Sequence, residues 1–155
     1  MKILFVCMGN ICRSPMLEGV FRQRLAAHPH AAEWSIDSAG TGGWHAGRAP
    51  DPRAIACLAA RGIDISGLRA RVVTERDFHA FDLLLCADRD NLAELRRRRP
   101  ADATAELALA LEWAGITARS EVPDPYYGDR RDFETVADLA GSLADAMLAR
   151  LLGRA

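Results

Sequence analysis

Short apolar runs and stretches of helical periodicity alternate along this chain. Ile3-Leu4-Phe5-Val6 is continuous, apolar and β-branched enough to predict a buried strand. Beyond it Met16, Leu17, Val20, Phe21 and Leu25 recur at helical spacing. Ser14-Pro15 opens that helix, since proline is tolerated in a first turn, and it runs to about Ala27, ahead of Pro29. Trp34 to Ala39 reads as a second strand and leads into a glycine-rich stretch, Gly40 to Gly47, containing Trp44 and His45. Asp51-Pro52 is a helix cap followed by proline at the first helical position, and the helix through Ile55, Cys57, Leu58 and Ala59 closes at Gly62. Phe81 to Cys86, apolar apart from Asp82, predicts a third strand of the kind covered on both faces. Asp88 follows it, and a helix of Asn91, Leu92 and Leu95 ends in Arg96 to Arg99, where cations suit the helix dipole. Residues 105–111 alternate in a way that fits strand or helix. Phe133, Val136, Ala137, Ala140, Leu143, Ala144, Met147, Leu148 and Leu151 form one apolar stripe of a final helix, with Asp132, Glu134, Asp138 and Asp145 outside it.

Alternating strands and helices predict an α/β fold with a parallel sheet. Ligands of such sheets bind beyond the carboxyl ends of the strands, where strand order reverses, and the loop after the first strand belongs there. A chain of 155 residues is one domain, 1–155. A net charge of −1 argues against bulk electrostatic binding of nucleic acid, so any attraction for an anion must be local. No run is long and apolar enough to span a membrane. The apolar opening is too short for a signal peptide and is interrupted by Gly9-Asn10 and Arg13, so a cytoplasmic protein is expected. Cys7, Cys12, Cys57 and Cys86 suggest neither a disulfide framework nor a zinc site, Cys57 reads as packing, and His28 with His30 reads as a solvated helix end.

The chemistry concentrates in Val6-Cys7-Met8-Gly9-Asn10-Ile11-Cys12-Arg13-Ser14-Pro15, the turn between the first strand and the first helix. Amides converging on a helix N-terminus bind anions. Arg13 can grip two oxygens of a phosphate at once. These surroundings favour the thiolate of Cys7, and Ser14 can donate a hydrogen bond to it. Gly9 and Asn10 are residue types that accept left-handed backbone. The arrangement suits nucleophilic attack on phosphorus. A proton for the departing oxygen must come from elsewhere, and Asp124 in a proline-rich loop is the available carboxyl. An aromatic among small residues, such as Trp44, is either a ligand wall or a core side chain.

Cys7-Met8-Gly9-Asn10-Ile11-Cys12-Arg13-Ser14-Pro15 resembles the signature of the low-molecular-weight protein tyrosine phosphatases. Asp124-Pro125-Tyr126-Tyr127-Gly128, Asp37-Ser38-Ala39-Gly40-Thr41 and Asp51-Pro52-Arg53-Ala54 match that family too, and the likeness runs from residue 2 to about residue 150. The resemblance implies a four-stranded Rossmann-like parallel sheet with helices on both faces, and it tips residues 105–111 toward a strand. It implies hydrolysis of phosphotyrosine, in proteins or small aryl phosphates, with no metal or cofactor. Cys7 is then the nucleophile, the amides from Met8 through Gly9, Asn10, Ile11 and Cys12 to Arg13 hold the phosphate, and Asp124 is the acid and later the base. Ser14 stabilises the thiolate as leaving group. Ser38 and Ser14 support Asn10, which shapes the loop. Trp44 and Tyr126, with Tyr127 beside them, wall the slot, and Cys12 is a redox partner that traps oxidised Cys7. Many relatives carry a histidine where Leu68 stands, which leaves Asn10 expected to rest on Ser14 and Ser38 alone.

Two rivals share parts of this pattern. A thioredoxin-coupled arsenate reductase needs a cysteine relay, and no cysteine follows Cys86. A phosphate-binding module without catalysis is disfavoured by intact Cys7, Arg13 and Asp124.

Overall fold

The computed structural model of the chain describes residues 1–153. Its elements are β1 (Lys2–Cys7), α1 (Arg13–Leu25), β2 (Ser35–Gly40), α2 (Pro52–Ala59), α3 (Asp77–Ala80), β3 (Leu83–Cys86), α4 (Arg89–Arg98), β4 (Glu106–Leu109), α5 (Ala110–Trp113) and α6 (Arg130–Leu151). The four strands form one parallel sheet in the order β2-β1-β3-β4. This is the α/β architecture that the alternation and the family resemblance predict.

Central β1 has a core on each side, which explains its unbroken apolar run. Ile3, Phe5 and Cys7 face the larger cluster, with Met16, Leu17, Val20 and Phe21 of α1 and the stripe of α6. Leu4 and Val6 face the second cluster, with Leu84 and Cys86 of β3 and Leu92 and Leu95 of α4. The chain leaves β1 toward β2 on one side, whereas β3 lies on the other, so the loop after β1 opens at the point where strand order reverses.

Helix starts follow local chemistry. Asp51 caps α2 by accepting the Arg53 amide at 2.8 Å, as its sequence predicts. Asp88 and Asn91 form a reciprocal capping box on α4, and Asp129 with Asp132 does the same on α6. The arginine run closes α4: Arg97 and Arg98 both pair with Glu94, whose carboxyl they hold down at about 2. Arg98 also reaches inward to the Thr41 carbonyl at 2.6 Å.

The ambiguous residues 105–111 prove to be both elements in succession. Glu106–Leu109 pairs with β3, then the chain turns directly into α5. The third strand starts at Leu83 because Phe81 closes the single turn of α3. Among the described residues no helix is long and apolar enough to cross a membrane.

Candidate active site

Where β1 ends, the chain winds through residues 8–12 and enters α1 at Arg13. No side chain caps that helix start, which leaves its first amides available to an anion. Cys7 lies at the base of this turn and is only 3 % exposed. Its Sγ is 3.0 Å from Ser14 Oγ, and the Ser14 amide points at the same sulfur over 3.4 Å. Two polar groups of Ser14, in the first turn of α1, therefore converge on the thiol.

Arg13 is buried, yet firmly held. One guanidinium nitrogen donates to Asp88 Oδ2 at 2.6 Å and to the Val122 carbonyl at 3.1 Å. The other lies 3.8 Å from Asp124 Oδ2. Burial works against the Arg13 charge, but the neighbouring Cys7 sulfur and Asp88 outweigh it and raise the pKa. Asp88 thus both caps α4 and orients Arg13, joining the carboxyl end of β3 to the turn after β1.

Asn10 adopts φ +57, a left-handed conformation that non-glycine residues rarely take. Its Nδ2 donates to Ser14 Oγ at 2.7 Å and to Ser38 Oγ at 3.0 Å. Contrary to the expectation that these two serines act alone, Asn10 Oδ1 accepts the Arg71 amide at 3.0 Å. Leu68 packs against the larger core, and a backbone N–H makes the third hold. Arg71 is itself fixed by Asp37 and Asp77. Behind Ser38 stands Glu18, a carboxylate 1 % exposed, which accepts from Ser38 Oγ at 2.7 Å and Arg22 Nε at 2.8 Å. Burial raises the Glu18 pKa against the pull of those two donors. A continuous hydrogen-bonded chain runs from Cys7 through Ser14, Asn10 and Ser38 to Glu18.

Gly9 differs from expectation. It does not take positive φ; a β-carbon there would instead lie 3.0 Å from the His45 ring. Close packing of the 40–47 loop on the turn after β1 is what that glycine permits.

Above the thiol opens a cleft of about 360 Å³. Of the site residues expected from the sequence, Cys7, Met8, Gly9, Ile11, Cys12, Arg13, Trp44, Asp124, Tyr126 and Tyr127 all line it. Asn10, Ser14 and Ser38 are buried behind the turn. Trp44 and Tyr127 are 70 % and 95 % exposed, so the outer wall is aromatic surface facing solvent. Tyr126 and Tyr127 meet edge to face at 4.9 Å, and His45, which sequence reasoning gave no role, stands 6.5 Å from the Tyr126 ring. Cys12 is buried in the same cleft, where burial first, and then Asp51 and Cys7, push its thiol far up, so it stays protonated at neutral pH.

Asp88, Glu18 and Arg71 support the site without having been assigned to it. Asp88 sits at a helix start, where capping alone accounts for an acid, and no local pattern marks Glu18 as other than the polar side of α1.

The family model for low molecular weight phosphotyrosine protein phosphatase matches residues 2–154. The low molecular weight phosphotyrosine protein phosphatase of Sus scrofa is 41% identical over 138 residues, covering 87% of this chain and 85% of that protein. The crystal structure of a protein tyrosine phosphatase from Entamoeba histolytica, with Hepes in its active site, superposes with TM-score 0.92 at 34% identity, over 98% of this chain and 97% of that one. A drosophila arginine phosphatase superposes with TM-score 0.92 at 26% identity, over 100% of both chains. The chain belongs to the low molecular weight phosphotyrosine protein phosphatase family.

Proposed function

We propose that the protein hydrolyses phosphotyrosine and related aryl phosphate monoesters through a cysteinyl-phosphate intermediate. The observation that carries this reading is the meeting of Cys7, Arg13 and Asp124, from opposite ends of the chain, in one cleft. In the first step Cys7 Sγ attacks phosphorus in line and the bond from phosphorus to the phenolic oxygen breaks. Arg13 and the amides from Met8 to Arg13 take up the charge on the equatorial oxygens. Protonated Asp124, at the mouth of the cleft, gives its proton to the departing phenolate. In the second step the Asp124 carboxylate removes a proton from water, whose oxygen attacks phosphorus. The S–P bond breaks, and the Ser14 hydroxyl and amide stabilise the returning thiolate.

The walls favour an aryl ester. Cys7 lies at the bottom, and a flat ring between Trp44, Tyr126 and Ile11 spans the depth that a phosphoserine side chain is too short to cross. An arsenate relay finds no support, since Cys86 is 0 % exposed on the opposite face of the sheet and Cys57 lines a different cavity. A thiolate nucleophile works where thiols stay reduced, which favours the cytoplasm. Cys12, in the cleft beside Cys7, is the group able to trap an oxidised nucleophile as a disulfide.

Turnover of a phosphotyrosine peptide, a small aryl phosphate and phosphoarginine tests the assignment. Cys7→Ser should abolish turnover while inorganic phosphate still binds, because a hydroxyl is a far poorer nucleophile in that nest. Substantial residual turnover would remove the covalent step. Faster hydrolysis of phosphoarginine than of phosphotyrosine would keep the chemistry and move the substrate class.

A further inference from the structure

Asp124 reaches the cleft on a segment with few anchors. Within residues 123–128, Tyr126 N donates to Asp124 Oδ1 at 3.1 Å and Gly128 N to the Pro125 carbonyl at 2.9 Å, and both bonds stay inside the segment. Among the described residues, the hydrogen bonds joining it to other elements come from one side chain. Arg53 Nη2 donates to the Tyr126 carbonyl at 2.9 Å and Nη1 to the Gly128 carbonyl at 3.4 Å.

Arg53 occupies the first turn of α2, where the helix dipole disfavours a cation. Asp51 offsets that with a two-pronged pair, Nε to Oδ1 at 3.0 Å and Nη2 to Oδ2 at 2.9 Å. The pairing lowers the Asp51 pKa and raises that of Arg53. The Asp51 amide in turn donates to the Ile11 carbonyl of the phosphate-binding turn at 2.8 Å. On its other side the guanidinium lies 4.6 Å from the Phe133 ring of α6 and 5.7 Å from Tyr126. Arg53 does not line the substrate cleft; it lines a separate cavity of about 580 Å³ between α2 and α6. Its carbonyl contacts therefore act on the segment and not on a substrate.

We propose that Arg53 is the positioning residue that seats the Asp124 segment over the phosphate-binding turn, so that the carboxyl stands within reach of the leaving oxygen. The proposal rests on the assignment of Asp124 as proton donor. Proton transfer demands hydrogen-bond reach, and a displacement near 1 Å costs up to about a hundredfold. Loss of Arg53 should then weaken proton delivery while phosphate binding stays intact.

The test compares kcat/KM for phenyl phosphate, a poor leaving group, with that for nitrophenyl phosphate, a good one. Arg53→Met keeps the stem over Phe133 and removes every donor. It should lower the phenyl phosphate value by roughly ten- to a hundredfold and the nitrophenyl value by only a few-fold. The inhibition constant of inorganic phosphate should not move, and Arg53→Lys should fall between. In an Asp124→Asn background Arg53→Met should add nothing, because the two act as one unit. Equal losses on both esters, weaker phosphate binding, or a full additional loss in that background would overturn the role of Arg53. Asp124→Asn alone showing no leaving-group dependence would instead overturn the proton-donor assignment, and this role with it. If Arg53→Met fails to fold, the same ratio measured on Arg53→Lys decides.

Discussion

At Asn10 the loop stores backbone strain and the surroundings hold it in place. Three groups hold the side chain: the hydroxyls of Ser14 and Ser38 on Nδ2 and the Arg71 amide on Oδ1. Because a backbone amide already occupies Oδ1, Leu68→His should bring no tighter phosphate binding. A clear gain in phosphate affinity would show that Oδ1 had a vacancy to fill. Ser38 has two duties, accepting from Asn10 and donating to Glu18. Ser38→Ala should lower unfolding stability by on the order of 1 kcal/mol, since Asn10 keeps two holds while buried Glu18 loses a donor. Unchanged thermal unfolding and unchanged phosphate affinity together would mean that the chain from Cys7 to Glu18 is not coupled at Ser38.

Among the secondary elements, β2 shows how closely the site is built onto the sheet. Its last residue, Gly40, lies directly behind the turn after β1, where a β-carbon would stand 2.7 Å from the Met8 carbonyl and 3.2 Å from the Gly9 backbone. Backbone cannot swing aside as a flexible side chain can. Gly40→Ala should therefore displace the turn and reduce kcat/KM by about tenfold or more, with phosphate affinity falling in parallel. Wild-type kinetics would mean that the turn has slack the packing does not show. In sequence the Asp-Ser-Ala-Gly-Thr stretch stood out only by its family resemblance, because the need for glycine comes from a neighbour far away in the chain. The same divide governs the other elements. The turn from β1 into α1 was legible because the hydrophobic period changes across it and Ser14-Pro15 marks the helix start. The end of β4 was not, because Leu109 and Ala110 are buried in either geometry and only pairing with β3 separates them. Asp88 and Arg53 received no role from the sequence, since the partners that matter, Arg13 and the Tyr126 carbonyl, are set by tertiary docking.

For the molecule as a whole, topology decides which thiol can meet an oxidised Cys7. Cys86 pairs in register with Val6, the neighbour of Cys7, but its side chain enters the core on the opposite face of the sheet. Cys57 lines the cavity between α2 and α6. Cys12 shares the cleft with Cys7. Peroxide should convert the Cys7 thiolate to a sulfenic acid with loss of hydroxide, and attack by the Cys12 thiolate then expels a second hydroxide and closes a disulfide. The attacking sulfur must be a thiolate, and burial holds Cys12 firmly as a thiol. Closure should therefore speed up as pH rises, by about tenfold per unit while the thiolate fraction stays small. At low pH the sulfenic acid persists longer and more of it is lost to irreversible sulfinic acid. Mass mapping after a peroxide pulse at several pH values checks both halves, with dithiothreitol recovery of activity as the readout of reversibility. A Cys7–Cys12 bridge whose yield and recovery rise with pH is the expected result. Closure independent of pH would mean that Cys12 ionises more easily than its burial allows, and a bridge to Cys86 would require β1 and β3 to separate.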